Sequence, residues 1–356
     1  MSSASSTPFE ELRSSLKEDW SAIVQARRET ESKRDVLRAL CEDVELPENT
    51  AVVCFGSLAR GEWTSGSDVD WTLLVDGMSD PDHFHAVQRM ATALRESGLR
   101  SPGPTGTFGQ LSSSHQLIHH VGGMDDTNPN MTRRMLLLQE SFGFPDANSI
   151  VLARVVRAVL ERYIVSDPAV SALGRPEWRV PRFLLNDFVR YWRTIAVDYA
   201  TKKWERAGKG WALRNIKLRM SRKLLFAKGL LLCFSCETGD HNETDPADGP
   251  GILKGIASHC FELARMSPLD VLCRALHEHA DGDVARTVIG AYDRFLSTLH
   301  DEGQRKELEE LDASTAPDSR LFREMREVSH DYSSGLEKLF FDSSELGPLT
   351  RKYGVF

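Results

Sequence analysis

The chain has 356 residues, enough for about two average domains. Apolar residues make up 41% and charged residues 27%, which excludes a collagen-like or wholly disordered chain. The net charge of −8 disfavours a protein that simply coats nucleic acid.

Helices and two buried strands are predicted in the first third of the chain. Apolar residues recur at three- and four-residue spacing over 8–46, which indicates helices that end before Pro47. Residues 51–55 form a short, fully apolar run typical of a buried strand, and residues 70–75 form a second one. A helix with one apolar side is predicted over 81–98.

The remainder is predicted to be mainly helical. Short strands are predicted over 105–111 and 116–121, and a solvated acidic loop over 237–251. The predicted helices span 131–140, 149–165, 181–206, 211–236, 252–266, 269–277, 284–311 and 321–353. The fold class is therefore α/β plus all-α, with three segments: N-terminal helices over 1–46, an α/β domain over 47–145 and a helical domain over 146–356.

One group of residues indicates a chemical function. It consists of Gly56-Ser57 after the first strand, and of Asp68 and Asp70 at the start of the second. Glycine allows a close backbone approach, and a serine that opens a helical turn can face an anion. Side chains two residues apart in a strand share a face, so both carboxylates project together and repel unless a cation lies between them. This pattern predicts Mg²⁺ and phosphoryl or nucleotidyl transfer. The alternative is a tight turn followed by an exposed acidic strand end.

These residues resemble the DNA polymerase β-like nucleotidyltransferase superfamily, whose hallmark is Gly-Ser followed by Asp-x-Asp on the adjoining strand. The insert Arg60-Gly61-Glu62 is most similar to the two-domain branch that contains bacterial PII-protein uridylyltransferases. Two later segments are similar to that branch in plan: 126–138 and 210–215.

The resemblance implies a nucleoside triphosphate substrate and two Mg²⁺ ions. Asp68 and Asp70 would hold the metals. The nucleotide-binding candidates, including two from the basic segment described below, are Gly56, Ser57, Arg60, Ser67, Arg214 and Lys217.

The superfamily normally supplies a third carboxylate from a later strand, and the strands predicted over 105–111 and 116–121 contain no acid. The nearest candidates are Asp125, Asp126 and Glu140, of which Asp126 is taken as the catalytic one. Asp125 and Asp126 are alternatively expected to cap the following helix. Without a third carboxylate, the protein would be a slow enzyme or a nucleotide-binding pseudoenzyme.

A basic segment contrasts with the acidic whole. Residues 182–228 contain 13 Lys or Arg and 3 Asp or Glu, interleaved with aromatic residues. One interpretation is a phosphate-facing wall across a cleft from Asp68 and Asp70, with Arg214 and Lys217 binding nucleotide. The other is a solvated helix face that pairs with acids elsewhere in the chain.

Cysteine and histidine content yields weaker candidates. Cys233 and Cys236 have zinc-like spacing but end an apolar helix, which favours packing over metal binding. Residues His115, His119 and His120 are expected in a strand, solvated or in the core, with nucleotide contact as the alternative. Six cysteines, no membrane span and no signal-peptide pattern in residues 1–7 predict a cytoplasmic protein without a membrane partner.

The predicted function is Mg²⁺-dependent transfer of a nucleoside monophosphate from a triphosphate to an acceptor hydroxyl, with release of pyrophosphate. The resemblance favours a protein or small-molecule acceptor. Two alternatives stay open: a catalytically weak nucleotide-sensing or partner-binding protein, and an RNA-directed transferase of a defence or toxin type.

Overall fold

The computed structural model describes residues 6–103, 107–144, 149–166, 180–205, 210–238 and 249–354. Its chain divides into two compact units. The sheet unit comprises residues 27–187 and 239–267, and the helical unit comprises 1–26, 188–238 and 268–356. The boundaries predicted from sequence, after residues 46 and 145, stay predictions. Most of the loop predicted over 237–251 lies outside the described residues.

The sheet unit is built on a four-stranded mixed sheet. Its strands are β1 (Thr50–Cys54), β2 (Trp71–Val75), β3 (Gln110–Ser113) and β4 (Phe142–Phe144), in the order β3-β2-β1-β4. Strand β1 pairs antiparallel with β2 and β4, and β2 pairs parallel with β3. Every residue of β1 and β2 is buried, as their continuous apolar runs predict.

Helices cover this sheet and complete the unit. In chain order, the helices up to residue 166 are α1 (Pro8–Leu16), α2 (Ser21–Asp43), α3 (Gly56–Arg60), α4 (Asp82–Glu96), α5 (Ser114–His119), α6 (Asn128–Gln139) and α7 (Ser149–Ser166). Helix α1 and the first residues of α2, up to Ala26, belong to the helical unit. The main apolar cluster joins α2 and α4 to one side of the sheet through Leu37, Cys41, Val52, Leu73, Met90 and Leu94, among others.

The later helices lie mostly in the helical unit. They are α8 (Arg182–Glu205), α9 (Trp211–Lys217), α10 (Lys223–Thr238), α11 (Gly249–Arg265), α12 (Pro268–His279), α13 (Gly282–His300), α14 (Glu302–Glu310), α15 (Arg320–Glu337) and α16 (Leu346–Leu349). A π-helical turn, Leu218–Arg222, joins α9 to α10, and two more follow α15 and α16 at Lys338–Asp342 and Thr350–Gly354. Helix α11 belongs to the sheet unit, where it packs on α7.

Several predicted elements differ from the structure. The strand predicted over 116–121 is wrong: helix α5 occupies this place and buries Leu117. Of the strand predicted over 105–111, residues 105 and 106 lie outside the described part of the chain, and 110 and 111 belong to β3. Strand β4, at three residues, is too short to show a periodicity. The single helix predicted over 284–311 is interrupted at Asp301, whose side chain accepts a hydrogen bond from the Gln304 N–H and caps α14.

Within the described residues, none of the helices combines the length and the apolar character that crossing a bilayer requires.

Candidate active site

The turn from β1 into α3 requires a glycine. Gly56 has a φ of 67°, in the left-handed region, after an extended Phe55. A Cβ atom at Gly56 would stand 3.0 Å from Oδ2 of Asp70. The Phe55 N–H also donates to the Asp70 carbonyl oxygen at 2.8 Å. The Gly-Ser turn and the second aspartate are therefore in direct contact, as the motif predicts.

Ser57 follows in the first turn of α3, half-buried. Its carbonyl oxygen accepts a hydrogen bond from the Glu62 N–H at 2.8 Å. Its hydroxyl makes no hydrogen bond to the described part of the chain, which leaves that group available to a ligand.

The two aspartates alternate with buried apolar residues. Asp68 is exposed and Asp70 half-buried, whereas Val69 and Trp71 are 0% and 1% exposed. This alternation is that of an extended chain with one face in the core. The Val69 N–H donates to the Arg100 carbonyl oxygen at 2.9 Å and thereby fixes the segment. Both carboxylates consequently lie on the side away from the core.

Ser67 organises the loop before these aspartates. Its hydroxyl accepts from the Thr64 N–H at 3.1 Å, and its own N–H donates to the Thr64 carbonyl oxygen at 2.9 Å. Ser67 is buried. Its visible contacts are thus those of a residue that shapes the loop.

Arg34 in α2 is a site residue that the sequence analysis missed. Its Nη2 donates to the carbonyl oxygens of Leu58 and Ala59, each at 2.9 Å, and its guanidinium lies 3.9 Å from the centre of the Phe142 ring. Burial lowers the pKa of Arg34, although Glu31 opposes this effect. Arg34 satisfies carbonyls at the end of the five-residue helix α3. A lone arginine on a helix gives no sequence signal for such a role.

Arg60 and Glu140 meet in a buried ion pair. Arg60 Nη1 contacts Glu140 Oε2, and Arg60 Nε lies 2.7 Å from Glu62 Oε2. All three side chains are at most 7% exposed. Arg60, a predicted nucleotide ligand, and Glu140, a candidate third carboxylate, are therefore already engaged with each other.

Asp126 is likewise engaged, in a buried network. Its Oδ2 accepts from Arg134 Nη2 at 2.7 Å and from the Gly122 N–H at 2.9 Å. Arg134 Nε donates to the Tyr163 hydroxyl at 3.1 Å, and that hydroxyl donates to Asp187. Burial opposes the charge on Arg134, but the bonds to Asp126 and Tyr163 raise the pKa of Arg134 overall. Burial and the nearby Asp187 raise the pKa of Tyr163.

The predicted helix cap is wrong. Thr127, not Asp125 or Asp126, caps α6 by accepting a hydrogen bond from the Asn130 N–H. Asp125 is exposed. Among the described residues, no group of three or more His, Cys, Asp and Glu side chains is arranged to hold a metal ion.

The remaining predicted residues lie in or next to other helices of the chain. Arg214 and Lys217 belong to α9 of the helical unit, and Arg214 Nε donates to the Gly210 carbonyl oxygen at 3.1 Å. Cys233 and Cys236 are buried in α10. The three histidines contact one another at α5: the ring centroid of His115 lies 4.8 Å from that of His119 and 5.7 Å from that of His120.

Comparison with known families agrees with this geometry. Residues 33–97 match the family model described as nucleotidyltransferase domain. The matched segment contains the Gly56-Ser57 turn, both aspartates and Arg34. No curated protein shows significant sequence similarity to the chain.

The chain thus carries a nucleotidyltransferase domain, consistent with the DNA polymerase β-like superfamily, followed by a large helical part. The predicted fold class is confirmed. The domain supports a general nucleotidyl-transfer activity. The resemblance to the PII-uridylyltransferase branch stays a prediction.

Proposed function

We propose that the protein is a Mg²⁺-dependent nucleotidyltransferase that moves a nucleoside monophosphate from a triphosphate to an acceptor hydroxyl and releases pyrophosphate. The observation that carries this proposal is the contact between Gly56 and the Asp70 carboxylate. It brings the Gly56-Ser57 turn, whose serine hydroxyl is available, next to Asp70, the second of the two aspartates. A triphosphate needs both partners: donors for its outer phosphates and cations at its reacting phosphorus.

The donor set fits Mg²⁺. This ion commonly takes one or two carboxylates and completes its shell with waters and substrate phosphate oxygens. Asp68 is exposed and Asp70 half-buried on the same side of the chain, so both carboxylates can be reached by a hydrated ion. Asp68 and Asp70 would hold the metal, with two ions expected from the superfamily. When bound, Mg²⁺ supplies positive charge that stabilises the transferring phosphoryl group.

The chain's own residues would bind and orient the nucleotide. The hydroxyl of Ser57 would bind the outer phosphates. Gly56 keeps the backbone close to Asp70. Ser67 would act by holding the loop before Asp68. Arg34 would act through α3, because its two carbonyl contacts hold the end of that helix. Arg214 and Lys217 of the helical unit stay proposed nucleotide ligands.

The acceptor is proposed to be a protein side chain or a small molecule. This choice rests on the resemblance to the two-domain branch. All six cysteines are free and buried, which supports the proposed cytoplasmic location. RNA as the acceptor is kept as an outcome of the experiment below.

A second candidate function is nucleotide binding with little or no turnover. The observation that favours it is the engagement of Asp126 with Arg134 and of Glu140 with Arg60. A carboxylate held in a buried ion pair is a weak proton acceptor, because protonation would break the pair. The acceptor hydroxyl would then lack an efficient general base from these residues.

The deciding experiment incubates the protein with each nucleoside triphosphate, labelled at the α-phosphate, with and without Mg²⁺. Protein, RNA and small-molecule products are then separated. Asp68→Asn combined with Asp70→Asn is expected to abolish transfer, whereas Asp82→Asn, at an exposed position in the first turn of α4, retains it.

Three outcomes are informative. Mg²⁺-dependent label on an acceptor, lost in the double variant, supports the transferase. Nucleotide binding without label transfer supports the second candidate. Transfer that persists in the double variant overturns the assignment of Asp68 and Asp70.

A further inference from the structure

A group of three cations lies in the helical unit, next along the chain to the proposed nucleotide ligands Arg214 and Lys217 but including neither of them. Arg219 in the π-helical turn and Lys223 at the start of α10 are one turn apart and share a helix side. Arg326 lies on α15, which packs against α9 and this π-helical turn. π-helical turns are rare and occur often at functional sites.

Two contacts fix the register between these helices. The rings of Trp211 and Phe322 have centroids 5.6 Å apart, and Lys223 Nζ donates to Ser333 Oγ at 2.6 Å. From Trp211 to Lys223 the chain advances by nearly as many residues as it does from Phe322 to Ser333. The two helical segments therefore run parallel.

The register places the two arginines about one helical turn apart along the helix axes. With a rise of about 1.5 Å per residue, Arg219 lies about 12 Å along the axis from the first contact, and Arg326 lies about 6 Å along it. Both positions fall between the two fixed contacts. The three cations, Arg219, Lys223 and Arg326, are called the cation cluster below.

In the part of the chain that the structure describes, none of the three side chains forms an ion pair with a carboxylate. Burial and then the neighbouring Arg326 lower the pKa of Arg219. Burial and then Arg219 lower the pKa of Lys223, and the exposed Glu337 only partly opposes this. Like charges held close together and partly out of water repel each other.

Neutral hydrogen bonds hold two of the three side chains, Arg219 and Lys223, whereas Arg326 is exposed. Arg219 Nε donates to Asn215 Oδ1 at 3.0 Å, and Asn215 Nδ2 donates to the Tyr199 hydroxyl at 2.9 Å. Asn215 is 7% exposed, so this contact is sheltered from water. The bond at Nε leaves both terminal nitrogens of Arg219 without a partner among the described residues. An oriented guanidinium fork beside a lysine and a second arginine is a geometry that matches a phosphate group.

We propose that the cation cluster binds a phosphate group of a small oligophosphate anion. Arg219 and Arg326 contact the phosphate oxygens through their guanidinium groups, and Lys223 supplies a point charge anchored at Ser333. The bound anion relieves the repulsion among the three cations. The site does not depend on the nucleotidyltransferase proposal, because it uses no metal and none of the residues assigned to that activity.

The test uses the full chain and inorganic tripolyphosphate, in buffer free of divalent cations and phosphate, at constant ionic strength. Binding is measured by calorimetry. Arg219→Gln combined with Arg326→Gln is expected to weaken binding at least about tenfold, since each lost charged hydrogen bond costs more than a factor of ten in affinity. The matched control is Arg320→Gln, an exposed arginine on the same helix paired with Glu324, which retains wild-type affinity.

Thermal unfolding gives a second, independent readout. Tripolyphosphate is expected to raise the melting temperature of the wild type but not that of the double variant. Without the anion, Arg326→Gln is expected to unfold at the same or a higher temperature than the wild type, because a repulsive charge is removed. Equal tripolyphosphate affinity in the wild type and the double variant, or no binding by the wild type, would overturn the proposal.

Further arms identify the source of the phosphate. Inorganic phosphate and ATP replace tripolyphosphate, and each is also tested on the Asp68→Asn, Asp70→Asn variant. ATP binding that needs both the cation cluster and the aspartates identifies the substrate's own triphosphate. Tripolyphosphate binding that survives loss of the aspartates identifies a separate oligophosphate ligand. Tripolyphosphate binding without metal tests the cation cluster, and Mg²⁺-dependent label transfer tests the nucleotidyltransferase. Either result can be negative without affecting the other.

Discussion

Replacing Gly56 by alanine tests the contact on which the candidate active site depends. The new Cβ would stand 3.0 Å from Asp70 Oδ2, closer than ordinary van der Waals contact, and Gly56 is itself buried. The substitution therefore pushes directly on a proposed metal ligand. It also forces a residue with a side chain into a φ of 67°.

The expected loss of folding stability has two parts, and a matched variant separates them. Placing alanine in the left-handed region costs about 1–2 kcal/mol, partly offset by about 0.4–1 kcal/mol from the stiffer unfolded chain. Gly98→Ala carries this cost alone, because Gly98 has a φ of 74° and nothing within 4 Å of the added Cβ. Gly56→Ala adds an overpacking cost of about 1–3 kcal/mol.

Urea unfolding and pyrophosphate release are the two assays. Gly56→Ala is expected to be less stable than Gly98→Ala by that overpacking cost. It is also expected to lower kcat by less than about 100-fold, since a displacement of about 1 Å costs that much and Asp70 must move by only a fraction of it. Gly98→Ala keeps wild-type turnover. Equal stability and equal turnover of the two variants would refute the argument that Gly56 exists to admit Asp70.

Three further predictions concern buried groups. Arg34→Met is expected to lower the free energy of unfolding by about 2–3 kcal/mol, because two carbonyls lose a charged donor, and Arg34→Lys to recover part of it; equal thermal midpoints would contradict this. Arg134→Met is expected to cost about 3–5 kcal/mol by leaving Asp126 unpaired, and adding Asp126→Leu to recover part of the loss in a double-mutant cycle. Burial raises the pKa of Cys41 to about 12 and that of Cys54 well above its usual value of 9.0, so neither thiol should react with iodoacetamide at about pH 8 before unfolding. Because only the unfolded thiols ionise near pH 9, stability should fall as pH rises from about 9 towards about 12, as alkaline urea titrations can measure.

The parts of the fold visible in the sequence are those set by local pattern. Strands β1 and β2 are buried on both faces, so each leaves a continuous apolar run that survives any tertiary arrangement. The Gly-Ser turn and the aspartates between these strands are equally local. Their order along the chain predicted a phosphate-facing turn next to paired aspartates, and in the structure Gly56 lies close to Asp70.

The parts that the sequence did not reveal depend on distant partners. Residues 116–121 are a short mixture of polar and apolar residues, and Leu117 is buried in a helix that packs on α7. Arg34 reaches carbonyls 24 and 25 residues away, a contact with no signature in spacing. A carboxylate found by position, such as Asp126, carries no sign of the arginine eight residues later that binds it.

Two buried arginines bear directly on the catalytic capacity of the site. Arg60 contacts Glu62 and Glu140, and Arg134 contacts Asp126. Two of the three candidate third carboxylates, Asp126 and Glu140, are therefore partners in ion pairs, whereas Asp125 is exposed. Removing one member of such a pair leaves a buried charge uncompensated, which costs about 3–5 kcal/mol. Stability alone is therefore a sufficient reason for these acids to be present.

Apart from the exposed Asp125, an enzyme at this site would then rely on Asp68 and Asp70 for its acidic groups. Two carboxylates are enough to hold Mg²⁺ with a triphosphate, but a proton must still leave the acceptor hydroxyl. A transferase of this kind should favour acceptors whose hydroxyl ionises easily, and its rate should rise with pH until that hydroxyl is ionised. A nucleotide-binding protein without turnover would show Mg²⁺-dependent affinity and no such rise. The pH profile of label transfer thus separates the two functions where nucleotide affinity alone does not.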